Sequence, residues 1–142
     1  LFSCDPVLAR DAGRVFNYVR PLLKTLESLG LHTYVVSASP VWAVIPGAQA
    51  LGIPPERVIA VTSEVEQGVL TDRLLKPIPC GEGKVHALKA RALEPLLAVG
   101  NGELDLPMLQ YAKAGWAVAP FGEGGNPLIQ EANRRGWPVI RA

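Results

Sequence analysis

The amino-acid sequence predicts an α/β protein whose mostly parallel central sheet is covered by helices on both faces. The main observation is that short, wholly apolar segments alternate with longer amphipathic segments along the chain. Parallel strands joined by helical connections are buried on both faces, and they are therefore apolar throughout. The 13 prolines and 14 glycines divide the 142 residues into short units, because both residue types interrupt regular structure.

The first half of the chain is predicted to hold two helices and four short strands. In order, these are a helix over residues 21–29, a strand over 32–36, a helix over 41–51, a strand over 57–62 and a β-hairpin over 64–72. Leucines recur at helical spacing in the first helix, and Gly30 is a natural helix end. Pro46 predicts a kink or a restart of the second helix, because proline lacks the backbone donor that a continuous helix uses.

The second half is predicted to alternate helices with strands throughout. A loop rich in Pro and Gly over 77–83 precedes a helix over 84–93, a strand over 96–99, a helix over 106–112, a strand over 116–119, a helix over 126–135 and a strand over 138–140. Strand–helix–strand connections are right-handed, and repeated they build a doubly wound, Rossmann-like three-layer sandwich. The hairpin over 64–72 is a small insertion in this sandwich.

Composition and charge narrow the classes of function. The chain has a formal net charge of +1, with 49% hydrophobic and 19% charged residues, so we expect neither nucleic acid nor a membrane surface as a partner. No apolar run reaches the roughly 18 residues of a membrane-spanning helix. Cys4 and Cys80 lie far apart without Cys-x-x-Cys spacing. We therefore expect no disulfide and no zinc site, and two isolated thiols fit a cytoplasmic protein.

Candidate site residues stand at three points, two directly after predicted strands and one at the start of a predicted helix. Ser37 and Ala38 follow one strand, Asn101 and Asp105 follow another, and a Gly-Glu-Gly segment directly precedes Lys84. Because ligands of doubly wound sheets bind at the carboxyl ends of the strands, we expect these residues to converge. A serine hydroxyl with backbone N–H groups cradles an anion, a lysine neutralises phosphate oxygens, and amide and carboxylate oxygens suit Mg²⁺. The set therefore indicates phosphate chemistry.

These residues resemble three motifs of the haloacid-dehalogenase-like phosphatases. Val-Val-Ser37 resembles the second motif, an apolar strand ending in Ser or Thr, and Gly-Glu-Gly-Lys84 resembles the third, a lysine at a helix start. Gly-Asn101-Gly-Glu-Leu-Asp105 resembles the fourth, usually Gly-Asp-x-x-x-Asp before an apolar helix. The order and spacing resemble the phosphoserine-phosphatase-like branch. The resemblance covers residues 18–142 as a catalytic core and leaves 1–17 as an N-terminal segment, a cap remnant.

The resemblance implies an Mg²⁺-dependent phosphomonoester hydrolase that acts on a small phosphorylated metabolite through an aspartyl-phosphate. By this resemblance, Ser37, Ala38 and Lys84 would bind the phosphate, and Ser37 and Lys84 would act in catalysis. Asn101 would bind Mg²⁺ directly. Asp105 would hold a metal-bound water or orient Lys84.

Two departures from the family pattern bear on activity. Asn101 stands where the family usually has Asp, which keeps one oxygen ligand but removes a negative charge. The first motif, Asp-x-Asp, supplies the nucleophile and the general acid, and no such pair exists in the chain. Asp5 is the nearest candidate, but Val7 occupies the place of the acid. We favour the interpretation that residues 1–17 are the end of a cap.

Alternatives remain for the whole chain and for single residues. The chain as a whole would otherwise be a truncated or non-catalytic pseudo-phosphatase domain with a binding or structural role. If the nucleophile strand is absent, the sheet has an unpaired position, and we expect a homodimer or strand exchange to cover it. For Ser37 and Asp105, the alternative to a catalytic or binding role is capping of a helix. For Asn101, the alternative is a turn residue in the left-handed conformation between two glycines. Trp42 is expected in the core or at an edge, with a substrate pocket as the alternative.

Overall fold

The computed structural model describes residues 18–119 and 126–141, and it confirms the predicted α/β class with parallel sheets. The chain divides into two compact units, residues 1–74 and 75–142. Each unit has a parallel strand ladder of its own. Asp5, with the rest of 1–17, lies outside the described residues.

The first unit contains two helices, one parallel strand pair and one hairpin. Its elements are α1 (Val19–Ser28), β1 (Val35–Pro40), α2 (Val41–Ala50), β2 (Val58–Val61), β3 (Ser63–Glu66) and β4 (Val69–Leu74). Their order is the predicted order. A short 3₁₀ turn, Pro55–Arg57, leads into β2.

Strand β1 lies further along the chain than the predicted strand over 32–36. It pairs in parallel with β2 from Val35 onward, and the register is interrupted between Val36 and Pro40. The prediction that Ser37 follows the strand is therefore wrong, because Ser37 lies within β1 at this interruption. The apolar run marks the buried stretch of chain, whereas the hydrogen-bonding partner decides where the strand begins and ends.

Helix α2 is continuous through Pro46, so the predicted restart at this residue is wrong, and the predicted kink stays a prediction. The missing N–H of Pro46 leaves the carbonyl of Trp42, four residues earlier, without its helical hydrogen bond. The Trp42 residue is 55% exposed. Of the expected positions in the core or at an edge, the core is therefore wrong for Trp42. An edge position agrees with this exposure, and the alternative role in a substrate pocket stays a prediction.

A small apolar core holds the first unit together. Ala48, Ile53 and Val58 are buried against one another, and Leu23 of α1 packs on them. The Arg20 guanidinium also donates a hydrogen bond to the carbonyl of Ala50, at 3.1 Å between Nη1 and O. Helix α1 is thus attached to the end of α2 by both apolar and polar contacts.

Strands β3 and β4 form the predicted hairpin. They pair antiparallel with Glu66 opposite Val69. The two residues between them, Gln67 and Gly68, have φ angles of 50° and 81°. Two-residue hairpin turns favour such positive φ values, and Gly68 adopts one without a steric penalty.

The second unit alternates helices with parallel strands, as predicted. Its elements are α3 (Glu82–Ala90), β5 (Leu97–Gly100), α4 (Leu106–Tyr111), β6 (Ala114–Ala119), α5 (Pro127–Arg135) and β7 (Val139–Arg141). A 3₁₀ turn, Glu103–Asp105, joins β5 to α4. The three strands form one sheet in the order β5-β6-β7, with every pair parallel.

The core of the second unit consists of aliphatic side chains. Leu109 of α4 and Leu128 and Ile129 of α5 are among its largest fully buried side chains, and both helices lie against β6. The strand β6 is apolar throughout because helices cover it, and Ala117 at its centre is 0% exposed. Among the described residues, Lys84 is the one buried residue with a charged side chain.

Three further expectations concern strand edges, cysteines and membrane spans. In the described part of the chain, β1 and β5 each pair with one strand, so each has one edge without a partner strand there. Dimerisation or strand exchange through such an edge stays a prediction. Cys80 is an exposed, free thiol. None of the described helices combines the length and apolarity that crossing a membrane requires.

Leu109→Ala should destabilise the second unit by about 3 kcal/mol, because a truncated buried leucine loses both its transfer free energy and its packing. Leu109 is 1% exposed, whereas nearby Leu104 is 55% exposed. Leu104→Ala is the matched control and should change the free energy of unfolding by less than about 0.5 kcal/mol. Urea unfolding followed by circular dichroism measures both. Equal losses for the two variants would contradict this core.

Candidate functional site

Lys84 lies in the first turn of α3, and its side chain is buried. The helix begins at Glu82, before the predicted start at residue 84, and Gly81 precedes it with a φ of 54°. The backbone N–H of Lys84 donates to the carbonyl of Gly81, at 3.0 Å between N and O. The Lys84 side chain is 7% exposed. The turn before the helix thus directs a lysine into the protein rather than into solvent.

The Pro- and Gly-rich loop before α3 folds back closely onto the helix. A Cβ atom added at Gly83 would lie 1.9 Å from the carbonyl oxygen of Ile78. No side chain fits at that distance, so residue 83 has to be glycine. Gly83 therefore allows the loop to pack closely against the start of the lysine helix.

The carboxylate of Asp105 accepts three hydrogen bonds. Its Oδ1 accepts from Nζ of Lys84 at 2.6 Å. Its Oδ2 accepts from the backbone N–H groups of Asn101 at 2.9 Å and Gly102 at 3.2 Å. The predicted meeting of Lys84 and Asp105 is therefore observed, across 21 residues of sequence. Asp105 occupies the N-cap position of α4, as its alternative role predicts, but its side chain makes no capping bond to that helix.

The Lys84–Asp105 ion pair is largely removed from water. The two side chains are 7% and 15% exposed. Burying an ammonium group is costly unless it is paired, and leaving one partner of a buried pair alone costs about 3 kcal/mol. Replacing both partners by apolar side chains is often neutral or stabilising. Stability alone therefore does not account for a charged pair at this place.

Asp105 reaches the end of β5 because residue 100 is glycine. A Cβ atom added at Gly100 would lie 2.5 Å from Cβ of Asp105 and 2.8 Å from its Oδ2. At Gly102, in contrast, an added Cβ would meet nothing within 4 Å. The first glycine of Gly-Asn-Gly is thus required by the carboxylate that packs on it, and the second is not required sterically.

Asn101 is exposed, and its backbone is held on both sides. Its N–H donates to Asp105, and its carbonyl accepts from Nδ2 of Asn126 at 3.0 Å. Positive φ among the described non-glycine residues occurs at Gln67 and Ala92, so the left-handed turn alternative for Asn101 is wrong. Within residues 18–119 and 126–141, the side-chain amide of Asn101 has no hydrogen-bond partner.

The oxygen atoms around Asn101 and Asp105 show whether this part of the protein suits Mg²⁺. Across the described ranges there is no group of three or more His, Cys, Asp or Glu residues that could enclose a metal ion. The exposed amide oxygen of Asn101 is a hard oxygen ligand of the type that Mg²⁺ prefers. The Asp105 oxygens already accept three donors. Asn101 therefore fits a direct contact with the ion, and Asp105 fits the orientation of Lys84.

Ser37 and Ala38 belong to the first unit. The Oγ of Ser37 accepts a hydrogen bond from the N–H of Ser39 at 3.1 Å, and the residue before α2 is Pro40. The helix-cap alternative for Ser37 is therefore wrong. A hydroxyl that accepts one bond still has its proton to donate. Because Lys84, Asn101 and Asp105 belong to the second unit, the convergence of all five residues stays a prediction.

The sequence did not assign a role to Asn126, which the structure connects to the site. Its Oδ1 accepts from the N–H of Leu128 at 3.0 Å, which caps α5, while its Nδ2 donates to the Asn101 carbonyl. An Asn directly before Pro127 at a helix start is a recognisable N-cap signal. The second bond joins residues 25 positions apart, and no local pattern indicates it.

Comparison with known proteins identifies relatives over most of the chain. The model of the haloacid dehalogenase-like hydrolase family matches residues 2–110, which include Ser37, Ala38, Lys84, Asn101 and Asp105. A phosphoserine phosphatase of Mycobacterium tuberculosis is 25% identical over 134 residues. The match covers 90% of this chain and 42% of the relative. The chain thus spans less than half the length of this relative.

Solved structures share the fold. A protein of unknown function from Bordetella pertussis superposes with a TM-score of 0.72 at 25% identity, over 85% of this chain and 56% of that one. A phosphoserine phosphohydrolase-like protein from Francisella tularensis has a TM-score of 0.68 at 18% identity, over 90% of this chain and 58% of that one. These similarities agree with the Rossmann-like α/β architecture.

Gly100→Ala should destabilise the second unit by about 2 kcal/mol, because the added methyl group displaces the Asp105 carboxylate from its three donors. Gly102→Ala is the matched control, since Gly102 has a φ of −134° and open space around its Cβ position. It should cost less than about 0.5 kcal/mol. Denaturant unfolding of both variants checks this, and a Gly100→Ala protein as stable as the control would contradict the packing described.

Proposed function

Because this chain belongs to the haloacid dehalogenase-like hydrolase family, we propose that it forms the phosphate-handling core of an Mg²⁺-dependent phosphatase acting on a small phosphorylated metabolite. The observation that carries the proposal is the buried Lys84–Asp105 ion pair, with 2.6 Å between Nζ and Oδ1. The phosphoserine phosphatase relative supports a phosphomonoester as the class of substrate. Since the chain spans 42% of that relative, the activity of the whole protein is part of the proposal.

In this proposal, Lys84 neutralises the negative charge of the phosphate oxygens, and Asp105 is its positioning residue. The carboxylate holds the ammonium group at one place in a poorly solvated site, where a charge acts more strongly than in water. A charge that is already in position needs no reorganisation when the phosphoryl group transfers. The two backbone N–H donors that hold Oδ2 of Asp105 keep the carboxylate itself in place.

Among the described residues, Asn101 is the one that we propose to bind Mg²⁺ directly. Its side-chain oxygen is exposed, and the ion would take its further ligands from water, from the phosphate and from residues outside the described ranges. Bound Mg²⁺ would add positive charge beside the phosphate oxygens. With an amide in place of a carboxylate, we expect weaker cation binding than an aspartate would give.

Ser37 and Ala38 are the proposed phosphate contacts of the first unit. The Ser37 hydroxyl would donate to a phosphate oxygen while its Oγ accepts from Ser39. Ala38 is exposed and lies in the interruption of the β1–β2 register, where backbone groups are not committed to a regular ladder. Their assignment depends on the match to the second motif.

The proposed reaction proceeds through an aspartate nucleophile. A carboxylate oxygen attacks phosphorus, the alcohol leaves with its oxygen, and water then hydrolyses the aspartyl-phosphate to release phosphate. Asp5 lies within the region that matches the family but outside the described residues. The missing Asp-x-Asp pair favours the alternative, a non-catalytic domain that binds phosphate through the same residues.

Phosphatase activity and phosphate binding test the proposal together. Ser37→Ala and Lys84→Ala should each lower kcat/KM for p-nitrophenyl phosphate with Mg²⁺ by about 100-fold or more, as the loss of a positioned donor typically does. Both should also weaken the binding of orthophosphate, measured by calorimetry. Lys84→Met preserves most of the buried volume and separates loss of the charge from loss of packing.

Two exposed residues supply matched controls. Ser39→Ala removes a hydroxyl from the same strand, and Lys89→Ala removes an ammonium group from the same helix, where it lies over the ring of Tyr111. Neither change should alter turnover or phosphate binding. Orthophosphate binding that survives loss of Lys84 would contradict the phosphate site. Binding that requires Lys84 without any turnover would favour the non-catalytic alternative.

A further inference from the structure

Asn126 uses both ends of its side-chain amide. Its Oδ1 accepts a hydrogen bond from Leu128 N–H at 3.0 Å, and its Nδ2 donates to the carbonyl of Asn101, also at 3.0 Å. Aspartate or serine would cap the helix equally well. Aspartate lacks a donor, and serine has its donor and acceptor on one oxygen atom, whereas the amide carries them on two separate atoms that reach the two partners.

The start of helix α5, which Asn126 precedes, is packed in the core. Leu128 and Ile129, in the first turn of α5, are 0% and 2% exposed. Pro127 occupies the first helical position, where its fixed φ favours the start of a helix. Asn126 therefore connects a buried helix start to the exposed loop after β5.

The peptide group between Asn101 and Gly102 is held at both of its ends. Its C=O accepts from Asn126, and its N–H, which belongs to Gly102, donates to Asp105. The preceding peptide is held as well, because the N–H of Asn101 also donates to Asp105. Peptide groups are planar, so anchoring both flanking planes fixes the direction in which the Asn101 side chain leaves the backbone.

We propose that Asn126 is a positioning residue that sets the orientation of Asn101 by holding the Asn101–Gly102 peptide. The inference rests on the proposed function only for the cation that Asn101 would bind. Without the Asn126 donor, the peptide keeps its bond to Asp105 but turns about that bond. The side-chain oxygen of Asn101 then samples several directions, and its contact with a cation weakens.

Substitutions at Asn126 separate capping from positioning. Asn126→Asp and Asn126→Ser keep an acceptor for Leu128 but lose the donor to Asn101. In the full chain without ligands, we expect amide exchange at Gly102, measured by NMR, to become about fivefold faster in both, the effect of one hydrogen bond of typical net strength. The unfolding midpoint should stay close to that of the unmodified chain. Asn126→Ala should speed exchange at both Gly102 and Leu128.

Gln130→Glu is the matched control for charge. It makes the same change from amide to carboxylate on the exposed side of the same helix, and exchange at Gly102 should not change. Wild-type exchange at Gly102 in both Asn126→Asp and Asn126→Ser would overturn the positioning role. A Gly102 amide in the unmodified chain that exchanges as fast as an unstructured loop would overturn it too.

Binding of Mn²⁺, a paramagnetic substitute for Mg²⁺, tests the consequence for the cation. Broadening of the Asn101 side-chain NMR signals should require several-fold more Mn²⁺ in Asn126→Ser than in the unmodified chain. Equal broadening at equal Mn²⁺ would overturn the effect on the cation. If Mn²⁺ does not bind even the unmodified chain, the metal part of the proposed function fails, while the exchange experiment still decides whether Asn126 positions the loop.

Discussion

The buried ion pair between Lys84 and Asp105 is the constraint on which the second unit depends. It joins the first turn of α3 to the loop after β5, at 2.6 Å between Nζ and Oδ1. A charged pair with so little access to water requires satisfied partners and close backbone packing. Glycine at 100 and 83 provides the packing, because added Cβ atoms would meet Asp105 and the Ile78 carbonyl.

The same pair links the lysine helix to the loop that carries Asn101. Asp105 accepts from Lys84 and from two backbone N–H groups, so the lysine charge and the Asn101 loop are positioned by one carboxylate. Asn126 holds that loop from its other side. A lysine charge and an exposed amide linked through one carboxylate support the proposed recognition of phosphate together with a divalent cation.

The sequence predicted the parts of the fold and site that depend on local pattern. Lys84 and Asp105 stand beside predicted element ends within recognisable motifs, and the structure brings them together. Ser37 was misplaced relative to β1, because pairing with β2 and not apolarity sets the extent of that strand. Asn126 was missed as part of the site, because its second bond spans 25 residues and depends on how α5 packs. The expectation that Ser37 and Ala38 lie beside the residues of the second unit rests on the resemblance to the family motifs.

A double-mutant cycle between Lys84 and Asp105 tests the central claim most directly. Lys84→Met and Asp105→Leu should each cost about 3 kcal/mol of unfolding free energy, because each removes one member of a buried ion pair. The double variant buries neither charge, so it should cost about 2 kcal/mol less than the sum of the single changes. Additive losses in denaturant unfolding would show that the two side chains are not coupled, and would contradict a site organised around their ion pair.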